Sequence, residues 1–265
     1  MENELVVINP ANGNEVARVP ITKPEALEEM VLNARTAQYD WQCIGFDGRL
    51  RLLKRLKKYI QKHYEENFIR TIQSETGKTW PDAMVDAASA AAEIHYLARD
   101  FAGRIRGSGE HSYLGESIRP HPLLAHEEVE LAEGLDLFPD TQVVGVISPW
   151  NLPLAIPAAD IFPALFAGCA VIWKPSEYTP LTAYKLKEAM KSVGFPENIL
   201  QIATGRGEIG TALCEIADYI SFTGSCRTGE KVREICKRSG IPHNLEMGGK
   251  APAIVFPDAN IERTA

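Results

Sequence analysis

The stretch VVGVISPWNLPLAIPAADIFPALFAGCAVIWKPSE, residues 143–177, decides the fold. Residues 143–148 and 170–174 are short, continuously apolar runs, the pattern of strands buried on both faces. Between them, residues 154–167 are apolar and long enough for a helix. Two buried strands joined through a helix make a βαβ unit with a right-handed crossover. The rhythm continues downstream. Further strands are predicted at 199–203, 219–223 and 253–256, and helices near 180–193, 208–217 and 227–239. From residue 143 onward the sequence therefore predicts an α/β fold built on a doubly wound, Rossmann-like parallel sheet. Such sheets bind ligands outside the carboxyl ends of their strands.

Upstream the pattern is helical. A short strand at 5–8 and the turn residues Asn9, Pro10, Asn12 and Gly13 come first. Helices are predicted at 24–39, at 49–76, and from Pro81 to about residue 101. In the second of these, Leu53, Leu56, Ile60, Phe68 and Ile72 recur at helical spacing, and Gly77 is a candidate C-cap. Residues 104–140 break the rhythm. There Val129, Leu131, Leu135 and Leu137 alternate with polar residues around Gly134, the signal of a hairpin with one apolar face. Two readings stand side by side: an ordinary surface hairpin, or a protruding ribbon that finds its partner on another subunit.

Composition narrows the function. The chain has 265 residues, 45% hydrophobic and 24% charged, which is globular and long enough to bury a core without disulfides or metal staples. A net charge of −7 argues against sequence-independent nucleic-acid binding, which needs a basic footprint. The longest apolar run, 161–173, is 13 residues and is broken by Pro163 and Gly168, whereas a spanning helix needs about 20. The start MENELVVINPANG lacks a signal peptide's basic opening and apolar core. Five scattered cysteines without a CxxC pair, and six histidines without metal-ligand spacing, predict neither a disulfide framework nor a metal site. A reducing, cytoplasmic setting is the expectation.

The candidate chemistry lies in the loops after the strands. The first holds Ser148, Pro149, Trp150 and Asn151, the second Lys174, Pro175, Ser176 and Glu177. The third, Gly205-Arg206-Gly207-Glu208-Ile209-Gly210, is a formal G-x-G-x-x-G between strand and helix, which allows close backbone approach to a pyrophosphate. The acidic residue expected about 20 positions further on for the ribose is absent, since that window holds Thr223, Gly224 and Ser225. Glu177 on the neighbouring loop is the candidate instead. Lys174 and Glu177 would bind a phosphate and a ribose diol, or form only a surface ion pair. Gly224 and Ser225 would approach a ligand, or merely cap the next helix. Asn151 would donate to a developing oxyanion, or cap a helix. Glu246, between Leu245 and Met247-Gly248-Gly249, is a candidate general base, or an ion-pair partner of Lys250.

Four stretches in order, VVGVISPWNLP, AVIWKPSEYTPLTA, ISFTGSCRTGEKV and NLEMGGKAPAIVF, together with the opening INPANGNEVARVP, closely resemble the aldehyde dehydrogenase superfamily. The resemblance covers nearly the whole chain. It implies oxidation of an aldehyde to a carboxylic acid with NAD or NADP as hydride acceptor. By position, Asn151 would serve the oxyanion and Glu246 would activate the hydrolytic water. Trp150, Lys174, Ser176 and Glu177 would line the adenosine-ribose site, and Gly207, Gly224 and Ser225 would lie near the pyrophosphate. Glu177 would repel a 2′-phosphate, while Lys174 and Arg206 would offset that. Residues 104–140 would be an oligomerisation segment, which favours the ribbon reading and a homo-oligomer.

The family's nucleophilic cysteine should follow Glu246 by a few tens of residues, and none of Cys43, Cys169, Cys214, Cys226 and Cys236 stands there. The resemblance therefore implies a coenzyme-binding domain at 1–247, with the start of a catalytic domain, truncated before its cysteine, at 248–265. Its rivals are a fragment that binds NAD(P) without turnover and a non-functional truncated product. Two departures are minor: Met247 replaces a more usual leucine, and FPDTQVVGV lacks the usual Pro-Leu-Gly lead-in.

Overall fold

The structure, a computed structural model, describes residues 4–101 and 143–264. The hairpin expected at 104–140 lies outside the described residues.

The chain opens as an antiparallel ribbon of β1 (Glu4–Ile8) and β2 (Glu15–Pro20). Its turn is closed by side chains: the Ala11 N–H donates to Asn9 Oδ1, and the Asn14 N–H to Asn12 Oδ1, both at 2.9 Å. β2 was not expected. Only Val19 in it is buried, so it carries too little apolar alternation to be read as a strand.

Helix α1 (Pro24–Cys43) begins with proline in its first turn, and α2 (Gly45–Lys62) follows. The single helix expected at 49–76 is three pieces: α2, a π-helical turn at Tyr64–Ile69, and α3 (Arg70–Thr76). His63 leaves helical geometry (φ −116°, ψ 24°), and the widened turn brings both Phe68 and Ile69 into the core. Gly77 ends α3 at φ +71°, its N–H donating to the Gln73 carbonyl at 2.9 Å. Helix α4 (Trp80–Tyr96) is capped by Thr79 and continues into a π-helical turn at Leu97–Phe101. Its buried face is small (Ala83, Ala87, Ala90, Ala91), which allows close approach to its neighbours.

From residue 143 strands and helices alternate: β3 (Val143–Ile147), α5 (Ala155–Ala167), β4 (Ala170–Lys174), α6 (Leu181–Val193), β5 (Leu200–Ile202), α7 (Gly207–Ile216), β6 (Tyr219–Gly224), α8 (Cys226–Ser239) and β7 (His243–Met247). A short α9 (Ile261–Thr264) comes last. The five strands form one parallel sheet in the order β5-β4-β3-β6-β7. The last strand is a correction. It is β7, not 253–256, where Ile254, Val255 and Phe256 are exposed. β7 is an edge strand and keeps His243, Asn244 and Glu246 only partly covered or exposed, so it lacks the continuous apolar run of the central strands.

The N-terminal helices are joined to the sheet layer through its helix ends. The Trp41 indole donates to the Leu165 carbonyl at 2.7 Å, Arg49 Nε to Phe166 at 3.0 Å, and Gln38 Nε2 to Gly168 at 3.1 Å. These three take carbonyls at the C-terminal end of α5, of which Leu165 also accepts from the Gly168 N–H at 3.1 Å. Its N-terminus is served by Asp86, whose Oδ1 accepts from the Leu154 and Ala155 N–H groups at 3.3 and 2.7 Å, while Lys78 balances the charge at 3.1 Å. At α6 the same work falls to Glu75. It accepts from the Leu181 N–H, from the Thr182 N–H at 2.8 Å and from the Thr182 hydroxyl. At β3, Asp218 accepts from the Val143 N–H at 2.8 Å and pairs with Arg35.

Glu75 is buried, and burial pushes its carboxyl up to about 7 against the pull of its three donors. A carboxyl whose folded pKa lies above its unfolded value binds protons more tightly when folded. Stability from this group is therefore complete below about pH 4.5 and is lost as the pH rises through about 7. Glu75→Gln is expected to flatten this part of the curve in urea titrations run across the range. Glu75→Ala, which leaves buried donors unsatisfied, is expected to cost about 3 kcal/mol.

Candidate functional site

Counted along the chain, the five parallel strands lie in the spatial order 3-2-1-4-5. The chain winds outward from β3 through β4 to β5, then returns to the other side of β3. The reversal falls between β3 and β6, whose carboxyl ends are therefore the topological switch point where doubly wound sheets bind ligands. Because all strands are parallel, the sequence-derived site residues gather along that edge. Trp150 and Asn151 follow β3, Lys174, Ser176 and Glu177 end or follow β4, Gly207 opens α7 after β5, and Gly224 and Ser225 close β6. Glu246 lies near the end of β7, opposite Thr223.

Lys174 is the strongest element. Its side chain is 7% exposed, so the pair it forms with the 31% exposed Glu177 is buried at the lysine end. Its Nζ donates to the Pro175 carbonyl at 3.1 Å, and Glu177 Oε2 stands 3.9 Å away. Burial lowers its pKa, with Glu177 and then Glu208 pulling the other way. Sequence reading missed two of its neighbours. Glu208, in the first turn of α7, acts on it electrostatically, and Gly210 packs beside its stem, where a Cβ would stand in ordinary contact 3.6 Å from Lys174 Cδ.

Ser176 is buried, and its Oγ accepts from the Tyr178 N–H at 3.3 Å, which shapes the loop after β4. Ser148 was passed over in sequence. It is buried, and its Oγ accepts from the Trp173 indole at 2.8 Å, tying the ends of β3 and β4 together.

Trp150 and Asn151 are exposed. The helix-cap alternative for Asn151 fails, because α5 starts at Ala155 and its first N–H groups go to Asp86. For Ser225 the capping alternative holds: its Oγ accepts from the Thr228 N–H at 3.3 Å at the start of α8. Capping does not use up the helix's other first-turn N–H groups. Glu246 is exposed, and among the described residues no ion pair joins it to Lys250.

Gly207 faces open space, with nothing within 4 Å of a Cβ placed there, at the N-terminus of α7. The dipole and amides of a helix start suit an anion. A buried ammonium, two helix starts and an acidic residue beside them form a donor and acceptor set that fits a dinucleotide's phosphates and ribose.

The cysteines contribute little to this edge. Cys169 is in the core, where burial pushes its thiol up to about 12. Cys226, at the start of α8, is exposed, with its Sγ 3.5 Å from the Gly248 carbonyl. No helix among the described residues is long and apolar enough to cross a membrane.

This fold and this edge are those of the aldehyde dehydrogenase family, to which the chain belongs: residues 1–265 match the family throughout. It is 35% identical over 264 residues to a 3,6-anhydro-alpha-L-galactose dehydrogenase of Streptomyces coelicolor, covering 97% of this chain and 49% of that protein. Among solved structures it resembles an NADP-dependent glyceraldehyde-3-phosphate dehydrogenase of Bacillus halodurans in complex with NADP, with a TM-score of 0.79 and 32% identity over 98% of this chain and 52% of the other. It also resembles PnpE in complex with nicotinamide adenine dinucleotide, with a TM-score of 0.78 and 30% identity over 98% and 51%. The chain spans about half the length of the curated relatives it matches.

Gly205, in the loop that leads into α7, has φ +152°, and a Cβ there would sit 2.3 Å from Ile209 Cγ1. Gly205→Ala must shift the start of α7 against Lys174. It is expected to lower unfolding stability by about 1–3 kcal/mol, read from the urea midpoint.

Proposed function

We propose that this chain is the cofactor-binding half of an NAD(P)-dependent aldehyde dehydrogenase that oxidises an aldehyde to a carboxylic acid. The observation that carries the reading is the buried Lys174 ammonium at the switch-point edge, set between the loop after β4 and the start of α7. In this reading Lys174, Ser176, Glu177 and Trp150 hold the adenosine ribose, with Glu177 accepting from its hydroxyls. Gly207, Gly224 and Ser225 bring two helix starts to the pyrophosphate. A nicotinamide bound at this edge would supply the hydride acceptor. Asn151, exposed beyond β3, donates to the substrate oxyanion, and Glu246 takes a proton from the hydrolytic water. Solved relatives that hold NADP or NAD support the cofactor class.

The proposed division is a coenzyme domain over 1–247, with 248–265 belonging to a catalytic domain. Residues 104–140 are proposed as the segment that joins copies into a homo-oligomer, and the setting as the cytoplasm. A second reading, a unit that binds NAD(P) without turnover, draws on the cysteines. Cys169, Cys214 and Cys236 are buried, exposed Cys226 has its Sγ 3.5 Å from the Gly248 carbonyl, and exposed Cys43 ends α1.

Calorimetry with NAD and NADP tests the cofactor assignment. Glu177→Gln is expected to weaken NAD binding about tenfold, or ~1.4 kcal/mol, by removing a charged acceptor, and to shift preference toward NADP by removing its repulsion of a 2′-phosphate. Equal affinities before and after the change would remove Glu177 from the ribose site. For the chain of residues 1–265 alone, aldehyde-dependent NADH formation is expected to be undetectable by absorbance. Turnover by the unaltered chain that is lost in Cys226→Ser would make this exposed thiol the nucleophile and overturn the second reading.

A further inference from the structure

Residues 48–64, most of α2 and the turn after it, hold seven lysines and arginines and no carboxylate, in a chain whose net charge is −7. Arg49 turns inward to the Phe166 carbonyl. Arg51, Lys54, Arg55, Lys58 and Lys62 are exposed, whereas Leu53, Leu56 and Ile60 are buried. At about 100° per residue the five cations fall within an arc of about 100° opposite the buried residues, and they run along about 17 Å of helix. They stand at i,i+3 or i,i+4 to one another: Arg51 to Lys54 and Arg55, Lys58 to Lys54, Arg55 and Lys62. Like charges at these spacings destabilise a helix. Among the described residues none of the five is ion-paired. On α8, by contrast, Arg233 meets Glu230 and Arg238 meets Glu215, both at 2.8 Å. An ordinary solvated face interleaves both signs in that way. The outer face of α2 concentrates one sign and bears the repulsion, which an anionic partner relieves.

We propose that the exposed face of α2 docks the protein on a membrane surface rich in anionic phospholipid headgroups. Clusters of this many lysines and arginines on one helix face bind such headgroups by charge alone. The five side chains share one side of a helix, so their charged ends reach a single plane together. The phosphates of a nucleic-acid duplex curve away from a convex helix face and meet fewer of them. The stripe holds no aromatic ring on which unpaired bases could stack. Tyr59 beside it is already engaged, its hydroxyl accepting from Asn67 Nδ2 at 3.2 Å and its ring set against His63. Leu53, Leu56 and Ile60 are committed to the core, so the contact is electrostatic and inserts nothing into the acyl region. The remainder of the chain is acidic and is repelled by the same headgroups. Screening limits that repulsion to about 8 Å at physiological salt, so it orients the protein with α2 toward the surface. None of the five cations belongs to the cofactor edge, and docking does not depend on what that edge binds.

The test is co-sedimentation of the unaltered 265-residue chain with sucrose-loaded vesicles. One set is phosphatidylcholine alone, and the other holds about a quarter phosphatidylserine. The chain is expected to pellet with the second set only, and to be released when salt is raised from about 0.05 M to about 0.5 M. Lys54→Gln, Arg55→Gln and Lys58→Gln made together are expected to lower partition onto the anionic vesicles about a hundredfold. The circular dichroism spectrum should be unchanged and the melting temperature no lower, since only like-charge pairs are lost. Lys23→Gln, Lys231→Gln and Lys237→Gln made together remove the same charge from other exposed positions and are expected to keep most of the binding. No pelleting on the anionic vesicles, equal pelleting on both sets, or an equal loss in the two variants would overturn the proposal. So would tighter retention on polyuridylic acid than on the anionic vesicles, which would give this face to a nucleic acid.

Discussion

Buried helix ends must find partners for backbone groups that the helix itself cannot satisfy, and in this chain those partners come from far away in sequence. Glu75 serves the start of α6, and Asp86 serves the start of α5. Trp41, Arg49 and Gln38 serve the end of α5. Asp218, held by Arg35, serves the start of β3. Each contact joins the N-terminal helices or a distant loop to the parallel sheet. Two are made by carboxylates in low-polarity surroundings, where the cost of desolvation is offset only by several donors at once. The sheet and the helices before it therefore share one polar framework as well as one apolar core.

That framework explains why the candidate site is rigid where it has to be. Ser148 and Trp173 join the ends of β3 and β4, the strands that deliver Asn151 and Lys174. Glu75 fixes the helix that follows the loop containing Ser176 and Glu177. The Lys174 ammonium can be kept in a desolvated position because its stem packs along α7 at Gly210 and its charge is met by Glu177 and Glu208. A small ligand arriving at this edge meets donors that are already oriented, so little ordering remains to oppose binding.

How much of this was legible depended on how local each signal was. β4 was read to the residue and β3 to within one, because strands covered on both faces leave continuous apolar runs. β7 was not, because an edge strand needs no such run, and the apolar Ile254, Val255 and Phe256 drew the assignment to a stretch that is exposed. The π-helical turn at Tyr64–Ile69 leaves helical spacing almost intact and so looked like uninterrupted helix. In the site, the Lys174–Glu177 pairing could be read from spacing, but burial, which decides its character, could not. Glu75 and Asp86 gave no local sign at all, since their partners lie 106 and 69 positions away for the Leu181 and Ala155 N–H groups.

The same separations bear on how the molecule is made. Helices α1 to α4 are synthesised before any strand of the parallel sheet, and they pack on one another as well as on segments beyond residue 143, where several of their polar side chains find their partners. In a nascent chain Trp41 waits for the Leu165 carbonyl and the Phe195 ring, more than 120 residues later. Contacts of this range close large loops and make for slow, high-contact-order folding. The shared framework therefore leaves part of the apolar surface of the first helices uncovered for a long interval of translation.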